Sequence, residues 1–271
     1  MIGESRACYG GVNTRVLSVD GDGDPIVLFT GYGDSADCWR KVLIRMEAAG
    51  RRALAIDLPG FGHADPRKPG PIMPQFGALA DAVIDAHGPL VLVGGSLGAT
   101  IVLHAAQRNS NGIAGVVAIG DPVNAHRRVE LSRYAAVRWS LPKLAAALPI
   151  PRRAVVPVFR RHLHARGRDA SPEILAYWEE LLSTPAHRAR FINDAVQCAV
   201  EVARSHDNLK IACPVLIIHG GRDMVIPAAA GRELHTQIPG SDFVLLPASG
   251  HCPQLDNPDA IAGLLLDFCS R

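Results

Sequence analysis

Val91-Leu92-Val93-Gly94-Gly95-Ser96-Leu97-Gly98-Ala99-Thr100 is an apolar, strand-like run that ends in Gly-x-Ser-x-Gly and passes directly into helical spacing. Pro89 to Val93 is rich in leucine and β-branched residues, and Leu97 to Gln107 repeats apolar residues at helical intervals. A strand that turns into a helix across a single serine is the sequence form of a nucleophile elbow. Gly94 and Gly98 leave space where any Cβ would collide, so the Ser96 hydroxyl is expected to stand clear of the backbone at the top of a sheet.

The remaining composition limits what this serine can belong to. A chain of 271 residues, 48% apolar and 20% charged, suffices for one large domain or one domain with an insertion. A net charge of +2 gives no reason to expect nucleic acid. Pro89 to Ala106 contains no Asp, Glu, Lys or Arg, but the Gly94-Gly95-Ser96 interruption divides it into a buried strand and a buried helix rather than a membrane span. The opening residues Met1-Ile2-Gly3-Glu4-Ser5-Arg6 lack the apolar core of a signal peptide, so a cytoplasmic location is expected. Six cysteines without Cys-x-x-Cys or His-Cys ligand spacing are read as free thiols, and no metal or cofactor is implied. The excess of arginine (24) over lysine (4) suggests a GC-rich bacterial source.

Strand signals occur at about Thr14–Val19, Ile26–Phe29, Arg52–Ile56, Leu90–Val93, Gly115–Ile119, Val215–His219 and Phe243–Leu246. Helical patterns lie at Ala36–Ala49, Gln75–Ala86, Leu97–Gln107, Ala228–Gln237 and Pro258–Cys269. This alternation predicts an α/β fold with a mainly parallel sheet covered on both faces. The Gly21-Asp22-Gly23-Asp24 turn is expected to join the first strands into an antiparallel edge. Between Pro122 and Ser205 the strand signal disappears and prolines punctuate helical segments. The division expected is therefore a core of residues 1–121 and 206–271 with a helical cap at 122–205, placed over the strand ends where open sheets carry their sites.

Four separated segments resemble the α/β-hydrolase family: Phe29-Thr30-Gly31-Tyr32-Gly33 with Trp39, Asp57-Leu58-Pro59-Gly60-Phe61-Gly62, the Gly94–Gly98 elbow, and Gly220-Gly221-Arg222-Asp223 with Ser249-Gly250-His251. The resemblance frames nearly the whole chain outside the cap. It implies a mostly parallel eight-stranded sheet with helices on both faces, an inserted helical cap, and a Ser, Asp, His order of catalytic positions. Thr30 departs from the histidine usual at that position.

The chemistry needs a base that accepts the Ser96 proton and a carboxylate that orients the base. His251 fills the first role. Asp223 is the leading candidate for the second, and Asp121, which also follows a core strand signal, competes with it. By the resemblance, the backbone N–H groups of Tyr32 and Leu97 form an oxyanion hole. Gly31, Trp39, Tyr134, Trp139 and Trp178 are candidates for lining the substrate pocket. Asp57 reads as a turn carboxylate that accepts backbone N–H bonds, and Cys252 as a non-catalytic thiol.

Residues 122–168 contain eleven Arg and Lys against Glu130 alone. This bias fits either a solvated surface or a site that attracts an anionic substrate, a CoA ester or an acyl-carrier protein. The expected function is a serine hydrolase acting on an ester, thioester, lactone or activated C–C bond of a small, possibly anionic, organic molecule. The alternatives are a lyase, cyclase or acyltransferase of natural-product biosynthesis that uses the same three residues, and a ligand-binding receptor with little turnover. Neither a membrane nor nucleic acid is expected as a partner.

Overall fold

The computed structural model of the chain describes residues 1–109, 111–122, 171–202 and 209–270. Alternating apolar residues dictate a two-sided sheet. In β3 (Asp22–Phe29), Ile26 and Leu28 face one core cluster while Val27 and Phe29 face the other. The same division separates Val91 and Val93 from Leu90 and Leu92 in β5 (Leu90–Gly95), and Val117 and Ile119 from Val116 and Ala118 in β6 (Ile113–Ile119). Strands buried on both faces need cover on both. α1 (Arg40–Ala48) and α8 (Pro258–Cys269) supply it on one side, and α2 (Met73–His87), α3 (Leu97–Arg108) and α6 (Ala228–Gln237) on the other. Burying each such aliphatic side chain contributes about 1.5–3 kcal/mol.

With β1 (Gly3–Tyr9), β2 (Val12–Val19), β4 (Arg51–Ile56), β7 (Val215–Gly220) and β8 (Asp242–Leu246), the sheet has eight strands in the order β1-β2-β4-β3-β5-β6-β7-β8. Pairing is parallel from β4 through β8, and β2 is antiparallel to both of its neighbours. The antiparallel edge expected at Gly21–Asp24 lies elsewhere. Asp22 to Asp24 belong to β3, and β4 stands between β2 and β3. The edge hairpin is instead β1–β2, which turns through Gly10 and Gly11 with Tyr9 opposite Val12. Both glycines have positive φ, 59° and 78°, the backbone that a two-residue hairpin matching the strand twist requires.

The apolar stretch that imitates a membrane span is divided between β5 and α3. Among the described residues no helix is long and apolar enough to cross a membrane. All six cysteines carry free thiols.

Between β6 and β7 the described residues form α4 (Pro172–Leu181) and α5 (Pro185–Val202). α5 is fastened at its middle and near its C-terminal end. Arg67 pairs with Asp194 at 2.6 Å, and the Glu201 carboxylate accepts the N–H groups of Ile72 and Met73, the latter at 2.7 Å. These two donors open α2, where helix N–H groups lack intrahelical acceptors and a negative charge is favoured.

A buried ion network ties β2 to the loops after β3 and β4. Arg15 donates to Asp57 at 2.9 Å and to Asp37 at 2.7 Å. Asp57, fully buried, also accepts the N–H of Ala36 at 2.6 Å and of His63 at 2.9 Å, as its turn position suggests. Gly62 closes against it, since a Cβ there would lie 2.2 Å from the carboxylate. Burial acts to raise the Asp37 carboxyl, but bonds from Arg15 and Arg40 outweigh it and hold the group below the ordinary carboxylate range. Asp57→Ala leaves Arg15 buried with half its partners and two backbone donors unpaired. Urea unfolding is expected to show a loss of about 3–5 kcal/mol, and a loss below 1 kcal/mol would contradict the role assigned to the network.

Candidate active site

Ser96 stands alone between β5 and α3 with φ 52°, and no other non-glycine among the described residues has positive φ. That backbone costs a side-chain-bearing residue about 1–2 kcal/mol and persists only where the surroundings enforce it. The enforcement is visible in the flanking glycines. A Cβ on Gly94 would meet the Gly98 carbonyl oxygen at 2.1 Å, and one on Gly98 would meet the Thr30 oxygen at 2.6 Å. The Ser96 N–H is anchored by the Ile119 carbonyl at 2.7 Å.

The loops after β7 and β8 bring two more groups to the serine. His251 Nε2 is 3.0 Å from Ser96 Oγ, and His251 Nδ1 is 2.8 Å from Asp223 Oδ2. The two loops lock together: Arg222 N–H donates to the Ser249 carbonyl at 2.9 Å, and a Cβ on Gly220 would lie 2.0 Å from the Gly250 oxygen. Gly250 N–H is held in turn by Asp256 at 2.6 Å. The other Asp223 oxygen accepts the N–H groups of Val225 and Ile226, both at 2.8 Å. Burial acts to raise the Asp223 carboxyl, but hydrogen bonds from His219 and His251, the His251 charge and the Ile226 N–H outweigh it, and the group lies far below the ordinary range. An ionised Asp223 makes Nδ1 the protonated ring nitrogen of His251, leaving Nε2 to accept the Ser96 hydroxyl proton. Asp121 points elsewhere, accepting from Thr100 Oγ1 at 2.8 Å.

Tyr32 lies between Gly31 and Gly33, and Gly31 approaches so closely that a Cβ on it would be 3.3 Å from Ser96 Cβ. Leu97 opens α3, so its N–H has no carbonyl partner within the helix. The Tyr32 phenol is committed to α5, donating to the Phe191 carbonyl, and its ring packs on Phe61 and Phe191 with centroids 5.0 Å apart in each case. Thr30 is fully buried, and its Oγ1 lacks a hydrogen-bond partner among the described residues.

Gly31, Tyr32, Ser96, Trp178 and His251 border a cavity of about 40 Å³. Trp39 is fully buried in the core and packs behind Gly95, outside that lining. Tyr134 and Trp139 lie outside the described residues, as do the eleven Arg and Lys of residues 122–168. Tyr177 accepts the Gly62 N–H at 2.8 Å and lines a second, larger cavity of about 290 Å³ together with Phe61 and Phe191. Cys252 is buried, and burial pushes its thiol up, away from the nucleophilic thiolate.

Two residues at the site escape a reading of motifs. His219 Nε2 donates to the Ile226 carbonyl at 3.0 Å and stands 3.4 Å from Asp223 Oδ2. The available signal is a lone ionisable residue closing the apolar run Val215–Ile218, four positions before Asp223. Gln254, three residues beyond His251 in α7 (Pro253–Asp256), also borders the Ser96 cavity. A single polar residue in a short turn carries no comparable signal.

Pimeloyl-[acyl-carrier protein] methyl ester esterase of Neisseria meningitidis serogroup C is 27% identical over 259 residues, covering 90% of this chain and 92% of its own. Monoacylglycerol lipase of Mycolicibacterium smegmatis is 26% identical over 253 residues, covering 89% and 86%. Among solved structures, a meta-cleavage product hydrolase from Pseudomonas fluorescens IP01 superposes with a TM-score of 0.77 at 19% identity, covering 98% of this chain and 97% of that one. The model of the α/β hydrolase fold matches residues 24–258, and the chain belongs to that family.

Proposed function

We propose that this chain hydrolyses a carboxylic ester through Ser96, His251 and Asp223, with the N–H groups of Tyr32 and Leu97 stabilising the oxyanion. The observation that carries the reading is the unbroken sequence of hydrogen bonds Ser96 Oγ, His251, Asp223, at 3.0 and 2.8 Å, built on a serine held at positive φ. Relatives named as esterases and a lipase support the ester as substrate class. Ser96 Oγ attacks the ester carbonyl while His251 Nε2 takes its proton, and Asp223 stabilises the imidazolium that results. Collapse of the tetrahedral intermediate expels the alkoxide, which receives that proton and leaves as the alcohol. Water then cleaves the acyl-enzyme by the same route in reverse.

In this reading residues 1–121 and 206–271 form the hydrolase core and 122–205 the cap. The arginine-rich part of the cap attracts an anionic substrate. An ester carried by an acyl-carrier protein is the form suggested by the names of the Neisseria and Vibrio relatives.

A fluorophosphonate probe is expected to label the wild type at Ser96 and to leave Ser96→Ala unlabelled. Labelling of the alanine variant at another residue would move the nucleophile.

Asp223→Asn should lower kcat by about 10⁴, by analogy with removal of the corresponding carboxylate in serine proteases. Asp121→Asn, at a carboxylate that accepts from Thr100 Oγ1, should cost less than about tenfold. Steady-state kinetics of the two variants that gave the reverse order would reassign the acid.

If the cap arginines steer an anionic ester, its kcat/KM advantage over a neutral ester should shrink as the screening length falls from about 10 Å at 0.1 M salt to about 3 Å at 1 M. Charge reversal at Arg152 and Arg153 should raise KM for the anionic ester alone. Equal responses of the two substrates would reduce the charge bias to surface composition.

A further inference from the structure

His219 continues the alternation of β7. Val215 and Ile217 face the cluster beneath α6 and Leu216 and Ile218 the opposite one, so His219 falls on the α6 side, where it is fully buried. The ring has no room to retreat, since a Cβ on Gly231 of α6 would stand 2.6 Å from its Nδ1. That nitrogen has no hydrogen-bond partner among the described residues, a cost that an apolar side chain of similar size would not carry. The value of an imidazole here therefore lies in its other nitrogen.

Nε2 faces two acceptors, the Ile226 carbonyl at 3.0 Å and Asp223 Oδ2 at 3.4 Å. A lone pair at Nε2 would be repelled by both, so Nε2 carries the proton and directs it at the pair. One donor thereby acts on both oxygens of the acid. Ile226 closes the turn whose N–H groups hold Asp223 Oδ1, at 2.8 Å from Val225 and from Ile226. Oδ2 is the oxygen that stands 2.8 Å from His251 Nδ1.

We propose that His219 is a positioning residue for Asp223, whose Nε2–H ties the Asp223–Ile226 turn to β7 and offsets part of the negative charge that Oδ2 presents to His251. The proposal rests on the Ser96-His251-Asp223 reading. Without this N–H the turn loses its tie to the strand, and the carboxylate is freer to rotate away from His251. Oδ2 also turns its full charge on Nδ1. A more negative Oδ2 stabilises the imidazolium form of His251, so a higher pH is needed to free Nε2 for the Ser96 proton. The other ionisable groups around the unit are Cys252 beside His251 and the two carboxylates that, with Asp223, raise its thiol: Asp34 from the loop after β3 and Asp256 from α7. Arg222, beside Asp223, is exposed, and α6 presents Gly231 to the ring. A substitution at His219 leaves all of these in place.

Methionine and glutamine have side chains of equal length, and only glutamine ends in an N–H group. The pH profile of kcat/KM for p-nitrophenyl acetate, from about pH 5 to 9, separates the two. His219→Met is expected to lower the plateau about tenfold, roughly the worth of one hydrogen bond, and to move the acidic limb up by about half a pH unit. His219→Gln should return the limb to its wild-type position and recover most of the rate. Identical profiles for the two variants would mark a structural role and overturn the proposal, as would an acidic limb that stays in place or moves down in His219→Met. Nitrogen-15 spectra of the histidine-labelled wild type need no variant to fold. They are expected to show His219 as the Nε2–H tautomer, and the Nδ1–H tautomer would overturn the proposal. Asp223→Asn in the same assay tests the underlying reading separately: if it keeps the wild-type rate, Asp223 is not the acid, and the proposal falls with that reading whatever the His219 variants show.

Discussion

The structure depends on a backbone contact with no room for a single carbon. Gly94 faces the carbonyl of Gly98, and Gly98 faces the backbone of Phe29 and Thr30, each closer than any Cβ permits. This contact lets α3 leave β5 at the steep angle that puts Ser96 at positive φ, and it draws the loop after β3 against the serine. Packing of α3 on the sheet then stabilises a conformation that the local chain disfavours. The strain belongs to one residue, whereas the burial that opposes it is spread over much of α3.

A second constraint governs the charges. Asp57 and Asp223 are both fully buried carboxylates, each surrounded by donors from several segments. Asp57 receives Arg15 and two backbone N–H groups, and the result fixes β2 and the loops after β3 and β4 relative to one another. Asp223 receives two backbone N–H groups, His251 and the more distant His219. The chemical difference lies in the partner. An arginine cannot give up its proton, so the Asp57 network is static, whereas a histidine can exchange one with the serine beyond it.

What the sequence discloses follows from which features have a period or a fixed spacing. β3 to β7 are legible because burial on both faces leaves nearly continuous apolar runs, and α6 and α8 because their apolar stripe repeats at 3.6 residues. β1 is not legible. Gly3–Tyr9 is an edge strand exposed along most of its length, so no hydrophobic pattern marks it. The misplaced edge turn has a related cause: Gly21-Asp22-Gly23-Asp24 has turn composition but lies where β3 begins, and pairing across the sheet is not encoded locally. Ser96, Asp223 and His251 are found by motif and order. Gln254 and His219 are noticed only when the chain is folded, because their significance comes from what they face. Trp39 shows the converse, an aromatic in a motif-bearing segment whose side chain is spent on the core.

The phenol of Tyr32 reaches across to the Phe191 carbonyl of α5, and Gly33 beside it has no space for a side chain because the Phe191 ring occupies that position. The loop bearing the proposed oxyanion donor is thus bonded to the cap sequence, not merely covered by it. α5 is held at Asp194 and Glu201 as well, so lifting it breaks charged contacts along its length together with the phenol bond. Any displacement of this helix would therefore also pull on the loop beside the serine.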